Sequence, residues 1–192
     1  MAVVILNAPP ASGKDTIANL LVKTTGYAKR EFKQGIYDVA KVVLGKNYSF
    51  FRMQLATRGE KEKPQEYLGG LSPRQFLIKV SEEWIKPVFG EAYFGEALAE
   101  NLPEFRHTVV SDRGFLQEAI ALAGSTDQAV VVVRLFREGY DFSGDSRDYL
   151  PTNSEHQNFW VTDVHLKEDD PQDAVNKILA FVGYFLALTG NK

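Results

Sequence analysis

Nine consecutive residues near the start of the chain, Ala8-Pro9-Pro10-Ala11-Ser12-Gly13-Lys14-Asp15-Thr16, combine a tightly turning backbone with one ammonium group. A glycine followed by lysine at the start of a helix suits phosphate oxygens. The glycine lets successive N–H groups curl toward the anion, the helix N-terminus adds partial positive charge, and the lysine offsets what remains. The general pattern is glycine, four residues, Gly-Lys, then serine or threonine. Gly13 and Lys14 satisfy it, whereas Ala8 stands at the first glycine, Asp15 at the hydroxyl position, and Thr16 one place later. The physical requirements survive these departures, because Ala8 adds only a methyl group at the loop entrance. The competing reading is an ordinary strand-to-helix turn with a solvated lysine, and the apolar run Val3-Val4-Ile5-Leu6 just before the loop weighs against it. Ala11, Ser12, Gly13, Lys14, Asp15 and Thr16 are therefore expected to hold the phosphates of ATP. Asp15 and Thr16 are candidates for Mg²⁺, directly or through water, since that ion prefers oxygen ligands and keeps several waters. Asp15 has two other readings: a contact to an acceptor phosphate, or a helix-start acid stabilised by the helix dipole.

These residues need a scaffold, and the order of elements specifies one. The run Val3 to Leu6 predicts a strand buried on both faces of a parallel sheet. A helix follows from about Lys14 to Lys23, with Ile17, Leu20, Leu21 and Thr24 on one face and Gly26 ending it. Thr108-Val109-Val110 and Val130 to Val133 predict two more strands, with a helix around Phe115 to Ala123 between them. A shorter strand is expected near Phe159-Trp160-Val161, and Tyr27 to Phe32 supplies a fifth. Asp170 and Pro171 open a last helix whose Val175, Ile178, Leu179, Val182, Phe185 and Leu186 recur at helical spacing. Strand and helix alternating in this way predict an α/β fold of P-loop NTPase type: a three-layer sandwich around a five-stranded, mostly parallel sheet. Residues 35–102 interrupt the alternation with helical signals at Ile36 to Leu44, Pro73 to Val88 and Glu91 to Leu102, broken by the polar stretch Arg58 to Gln65. That segment reads as a helical, acceptor-binding insertion in a single domain whose core is about 1–34 and 103–192.

Composition narrows the partners. A formal net charge of −3 argues against coating a nucleic-acid polymer, which needs an excess of Lys and Arg. With no cysteine there is no disulfide framework and no thiolate metal site, and no apolar run approaches the ~20 residues of a membrane span. The expected partners are small-molecule nucleotides, with no nucleic-acid polymer and no membrane; a homodimer is compatible, and the expected location is cytoplasmic. His107, His156 and His165 lack metal-ligand spacing, and Trp84, Trp160 and the phenylalanines read as core. There is no guanine-reading Asn-Lys-x-Asp sequence, and Val109-Val110-Ser111-Asp112-Arg113 ends in one acid rather than the pair expected of a motor ATPase.

The loop resembles that of nucleoside monophosphate kinases, and its Gly13-Lys14-Asp15-Thr16 form resembles the deoxynucleoside monophosphate kinases of tailed bacteriophages. Leu71-Ser72-Pro73-Arg74-Gln75-Phe76 is similar to that family's Ser-Pro-Arg segment. Ser111-Asp112-Arg113-Gly114-Phe115, with Glu118 downstream, is similar to its Ser-Asp segment, although Arg113 stands one place earlier than the family's arginine. Arg134 to Tyr149 resembles its arginine-bearing lid. The resemblance implies transfer of the γ-phosphoryl group of ATP to a (deoxy)nucleoside monophosphate. Lys14 would contact the β- and γ-phosphates, and Arg74 would clamp the acceptor phosphate as a planar guanidinium can. Asp112, at the carboxyl end of a strand, would order magnesium water or the acceptor, with Glu118 a weaker acceptor candidate. Arg113 is a displaced substitute for the family's arginine or unrelated to it. Arg137 and Arg147, ahead of Arg134, would meet the transition-state charge from a lid spanning about 134–157. Two other readings stay open at this point: a P-loop kinase of another small metabolite, such as a coenzyme precursor or sugar acid, and a nucleotide-binding regulator without transfer activity.

Overall fold

The structure, a computed structural model, describes residues 1–57, 59–112, 115–143, 148–151 and 156–189. Arg113 and Arg147 therefore lie outside the described residues. The chain divides into two compact units, one formed by Met1–Phe32 with Gly95–Lys192 and the other by Lys33–Phe94.

In the first unit the apolar runs form a sheet. Strand β1 (Ala2–Asn7) is buried at every residue, as a strand covered on both faces must be. Helix α1 (Lys14–Thr25) and the short β2 (Ala28–Arg30) follow. Then come β3 (Thr108–Val110), α7 (Leu116–Gly124), β4 (Ala129–Phe136), β5 (Phe159–His165) and α8 (Pro171–Thr189). The strand order is β2-β3-β1-β4-β5. Val4 pairs with Val109 on one side and Val131 on the other, and all four strand pairings are parallel rather than mostly so.

Alternation along the strands sorts the two faces. Ala2, Val4, Leu6, Val131, Val133, Leu135 and Val164 pack with Ile17, Ala18 and Leu21 of α1 and with Ala174, Val175, Ile178 and Val182 of α8. Each fully buried Val, Leu or Ile contributes about 1.5–3 kcal/mol by leaving water. Val3, Ile5, Val130 and Val132 point the other way and are equally buried, with α7 running against β4. Helix α6 (Tyr93–Glu100) meets α7 at Gly95, where an added Cβ would lie 2.1 Å from the carbonyl oxygen of Glu118. Only glycine allows that approach. The architecture is the expected α/β three-layer arrangement.

Several boundaries differ from the sequence reading. Thr24 is exposed, and Ala18 takes its place on the buried face of α1. Strand β5 extends four residues past Val161, because Phe136 to Val130 offer it a full-length partner. Strand β4 runs through Arg134 to Phe136, so Arg134 is part of the sheet rather than of the span after it. Asp170 caps α8 as expected, its carboxylate accepting the Asp173 N–H at 3.1 Å.

The second unit is helical. Helix α2 (Gln34–Leu44) buries Ile36, Tyr37 and Ala40, and α3 (Tyr48–Ala56) buries Phe51 and Gln54. Helix α4 (Pro73–Lys79) starts with a capping box: the Ser72 hydroxyl accepts the Gln75 N–H at 3.2 Å, and the Gln75 side chain accepts the Ser72 N–H at 2.8 Å. The single helix expected over Pro73 to Val88 instead passes through a π-helical turn, Val80–Ile85, before α5 (Lys86–Phe89). Pro87 has no N–H for the carbonyl of Glu83, and the wider turn sits just ahead of it. Phe51, Phe76 and Trp84 stack edge to face in series, yet Trp84 is 43% exposed and closes the cluster from outside rather than filling it. Trp160, by contrast, packs against the sheet core as expected.

Candidate functional site

The loop after β1 explains why the missing first glycine does no harm. Ala8 is only 3% exposed and belongs to the buried core that also contains Val4, Leu6 and Ile17. Positive φ falls elsewhere, on Ala11 (60°) and Gly13 (103°). A left-handed alanine costs on the order of 1–3 kcal/mol and persists only where its surroundings fix it. Here the brace is Ser12, which is buried and donates its hydroxyl to the Pro9 carbonyl at 2.9 Å. Of the expected phosphate-loop residues, Ser12 thus spends both its hydroxyl and its backbone N–H, the latter at 3.4 Å, on the Pro9 carbonyl and so on the loop itself.

Gly13 is the N-cap of α1 and, as a glycine, brings no side chain to cap that helix. Its carbonyl accepts the Ile17 N–H at 3.1 Å, so the helix begins at once, and its first N–H groups have no carbonyl of the same helix ahead of them. Asp15 and Thr16 are exposed on that first turn and Lys14 is half-buried. Among the described residues no group of three or more His, Asp or Glu could cage a metal. A magnesium ion carried on phosphates needs no such cage, only one or two protein oxygens, and the Asp15 carboxylate with the Thr16 hydroxyl fits that donor chemistry.

Arg137, directly after β4, approaches the same loop. A Cβ built on Gly13 would lie 3.8 Å from Nη1 of Arg137. The guanidinium also rests 4.8 Å from the centre of the Tyr140 ring, a cation–π contact that holds it beside the loop. A cation is therefore already next to the glycine around which phosphates would gather. Asp112 follows β3 at the same carboxyl edge of the sheet, the edge at which open α/β sheets bind ligands. Its Oδ1 accepts the Phe32 N–H at 2.7 Å.

Other candidates have structural roles. Glu118 is 5% exposed and accepts the Phe115 N–H at 2.7 Å, closing the first turn of α7. Arg134 forms a two-pronged ion pair with Asp163 on β5, one prong at 2.7 Å, and this pairing raises its already high pKa.

In the second unit Arg74 pairs with Glu62, Nε to Oε1 at 2.7 Å, with both side chains about half exposed. The Ser-Pro-Arg segment that suggested Arg74 has a local purpose as well, because Ser72, Pro73 and Gln75 together start α4. Sequence reasoning missed Arg52, whose guanidinium lies 3.9 Å from the centre of the Tyr37 ring, with the Lys33 ammonium at 5.7 Å. No spacing rule singles out the Arg52 contact, since Arg52 belongs to α3 and Tyr37 to α2. It also missed Lys86, whose side chain is 6% exposed between Glu82 at 2.9 Å and Glu91 at 3.1 Å. Burial pulls that ammonium's pKa down, but the hydrogen bonds to Glu82 and Glu91 outweigh it and leave the pKa raised.

No protein-family model and no curated protein matches the chain. Among solved structures, it is similar to a gluconokinase from Sinorhizobium meliloti 1021, with a TM-score of 0.46 and 14% sequence identity over 96% of this chain and 93% of that one. The site rests on its own geometry: a loop at the carboxyl end of the central strand, a helix start with glycine at its N-cap behind it, Lys14 within it and Arg137 against it.

Proposed function

We propose that this chain is an ATP-dependent phosphotransferase of the P-loop kinase type, and that its acceptor is a (deoxy)nucleoside monophosphate. The observation that carries the reading is the convergence of Arg137 on Gly13. A loop that only bound nucleotide would need amides and Lys14, whereas transfer also needs a cation at the developing charge. Phosphoryl transfer is mainly positioning and charge stabilisation, and the residues divide accordingly.

The N–H groups of residues 11 and 13–16 cradle the phosphates, with Ser12 bracing the loop from within, and Lys14 contacts the β- and γ-phosphates. Asp15 and Thr16 would hold Mg²⁺, which would offset charge on the phosphate oxygens. An oxygen of the acceptor phosphate attacks the γ-phosphorus while the bond to the β–γ bridging oxygen breaks, giving ADP and a nucleoside diphosphate. Arg137 stabilises the equatorial oxygens as charge redistributes. Arg74 holds the acceptor phosphate once exchanged from Glu62, and Asp112 orders the acceptor or magnesium water. The narrower choice of acceptor is supported by the order of the Ser72-Pro73-Arg74 and Ser111-Asp112 segments in the chain.

ADP release, measured by a coupled assay across ribo- and deoxyribonucleoside monophosphates, a sugar acid, a coenzyme precursor and no acceptor, tests this. Acceptor-dependent release with a nucleoside monophosphate is expected. Release only with another acceptor would replace the acceptor class, and tight ATP binding without release from any would leave a regulator.

A further inference from the structure

Asn7, the last residue of β1, stands immediately before the phosphate loop and is fully buried. A polar side chain in that position has to be satisfied, and its partner is distant in sequence. Oδ1 accepts the backbone N–H of Leu150 at 2.8 Å, across 143 positions. Arg134, the β-sheet neighbour of Asn7, donates from Nη1 to the carbonyl oxygen of the same Leu150 at 3.3 Å. Both polar groups of one residue are thus held by adjacent side chains of β1 and β4.

The surroundings reinforce the grip. The Leu150 side chain is buried, and the Tyr149 hydroxyl donates to the Leu135 carbonyl at 3.0 Å. The Tyr149 ring stacks on Phe136 with centroids 4.3 Å apart. The Asp163 ion pair fixes the guanidinium of Arg134 and so its remaining donor. Arg137 leaves the sheet one residue after Phe136, so the strand end that presents Arg137 to Gly13 is the one on which Tyr149 and Leu150 are fastened.

We propose that Asn7 and Arg134 are positioning residues: together they clamp Leu150 and so fix the end of β4 from which Arg137 reaches the phosphate loop. This rests on the phosphotransferase reading for its catalytic consequence but not for the clamp itself. An apolar residue at position 7 would fill the same space and leave the Leu150 N–H without its acceptor, the costly way to lose a hydrogen bond. That cost favours release of Leu150, not unfolding of the sheet. Asn7 also retains a buried Nδ2 that has no hydrogen-bond partner among the described residues, so the position tolerates an unpaired donor in order to keep the acceptor.

The test compares Asn7→Leu, of similar volume, with Asn7→Asp, which keeps an acceptor oxygen, by amide hydrogen exchange and steady-state kinetics. Asn7→Leu is expected to speed exchange at Leu150 at least about tenfold while Val3 to Leu6 stay protected. It should lower kcat about tenfold and leave the ATP Kd within about twofold. Asn7→Asp should restore Leu150 protection, which a merely space-filling role would not predict. If Asn7→Leu does not fold, Arg134→Gln is read in the same way, with Tyr149 and Leu150 amides expected to lose protection. Unchanged Leu150 exchange in Asn7→Leu, or in Arg134→Gln where that variant is used, overturns the clamp. Faster exchange with unchanged kcat overturns its positioning role. A natural protein with no transfer activity defeats the phosphotransferase reading alone, because Leu150 exchange still decides the clamp.

Discussion

The loop end of the sheet and the helical unit 33–94 hold their cations in different ways. At the loop, backbone geometry makes the site: a buried strand, a left-handed alanine and glycine, and a helix start whose N-cap is that glycine. Arg137 joins it from the end of a strand paired directly to β1. In the helical unit the cations sit on side-chain contacts at the surface, Arg74 with Glu62 and Arg52 over Tyr37. Exposed ion pairs are worth at most about 1 kcal/mol, so the Arg74–Glu62 pair exchanges readily for a ligand. On the proposed function, the phosphates would be held by a site built into the backbone, and the acceptor would be read by side chains that change partner.

The sharpest way to break this contrast is Lys14→Ala. Transfer is expected to fall about 10² to 10³-fold, the usual cost of removing one preorganised donor at developing charge. The melting temperature should hardly change, since Lys14 is not in the core. ADP release and a thermal melt check both halves, and near-normal turnover would put the phosphates elsewhere.

Arg137→Ala should come next, with kcat down about 10²-fold and ATP affinity nearly intact, the signature of a contact made chiefly in the transition state. Equal losses in kcat and ATP affinity would make Arg137 a ground-state nucleotide ligand instead. Arg74→Ala should raise the acceptor KM about tenfold, the loss of one charge-assisted contact of about 1.5 kcal/mol, and leave the KM for ATP unchanged. An unaltered acceptor KM would assign Arg74 to Glu62 alone.

The smallest expected effect lies at the opposite edge of the sheet and involves no ligand. His107 Nδ1 accepts the Ala2 N–H at 3.0 Å and its ring stacks on Tyr27. Burial, helped by the nearby N-terminal ammonium, lowers its pKa below the usual value of about 6.5. The folded state then binds its proton less readily than the unfolded chain. Its contribution is complete above about pH 6.5 and is lost as pH falls below that through the depressed folded value. Melting curves from pH 8 to pH 5 should fall less steeply for His107→Gln than for the natural protein, while the ATP Kd at pH 7 stays the same in both.

How much of this was legible follows from where each signal resides. Continuous Val and Ile runs leave few alternatives to buried parallel strands, so β1, β3 and β4 were readable, as was Gly13-Lys14 at a helix start. Helix α3 was not, because its buried positions are Phe51 and Gln54 while Phe50 and Met53 face out, which scrambles the apolar period. The break before Pro87 depends on one missing N–H and not on any pattern. Arg134 looked like a lid residue because strand pairing with β5, which draws it into the sheet, has no local signature. Asn7 went unnoticed for the same reason: its partner lies 143 residues away. Sequence reveals what backbone periodicity dictates and conceals contacts that only closure of the fold creates.

Transfer of labelled phosphate tests the central claim most directly. With [γ-³²P]ATP, Mg²⁺ and each nucleoside monophosphate in turn, the natural protein should move label into a nucleoside diphosphate, and Lys14→Ala should not. Label appearing only as inorganic phosphate, or remaining in ATP with every acceptor, would contradict the account.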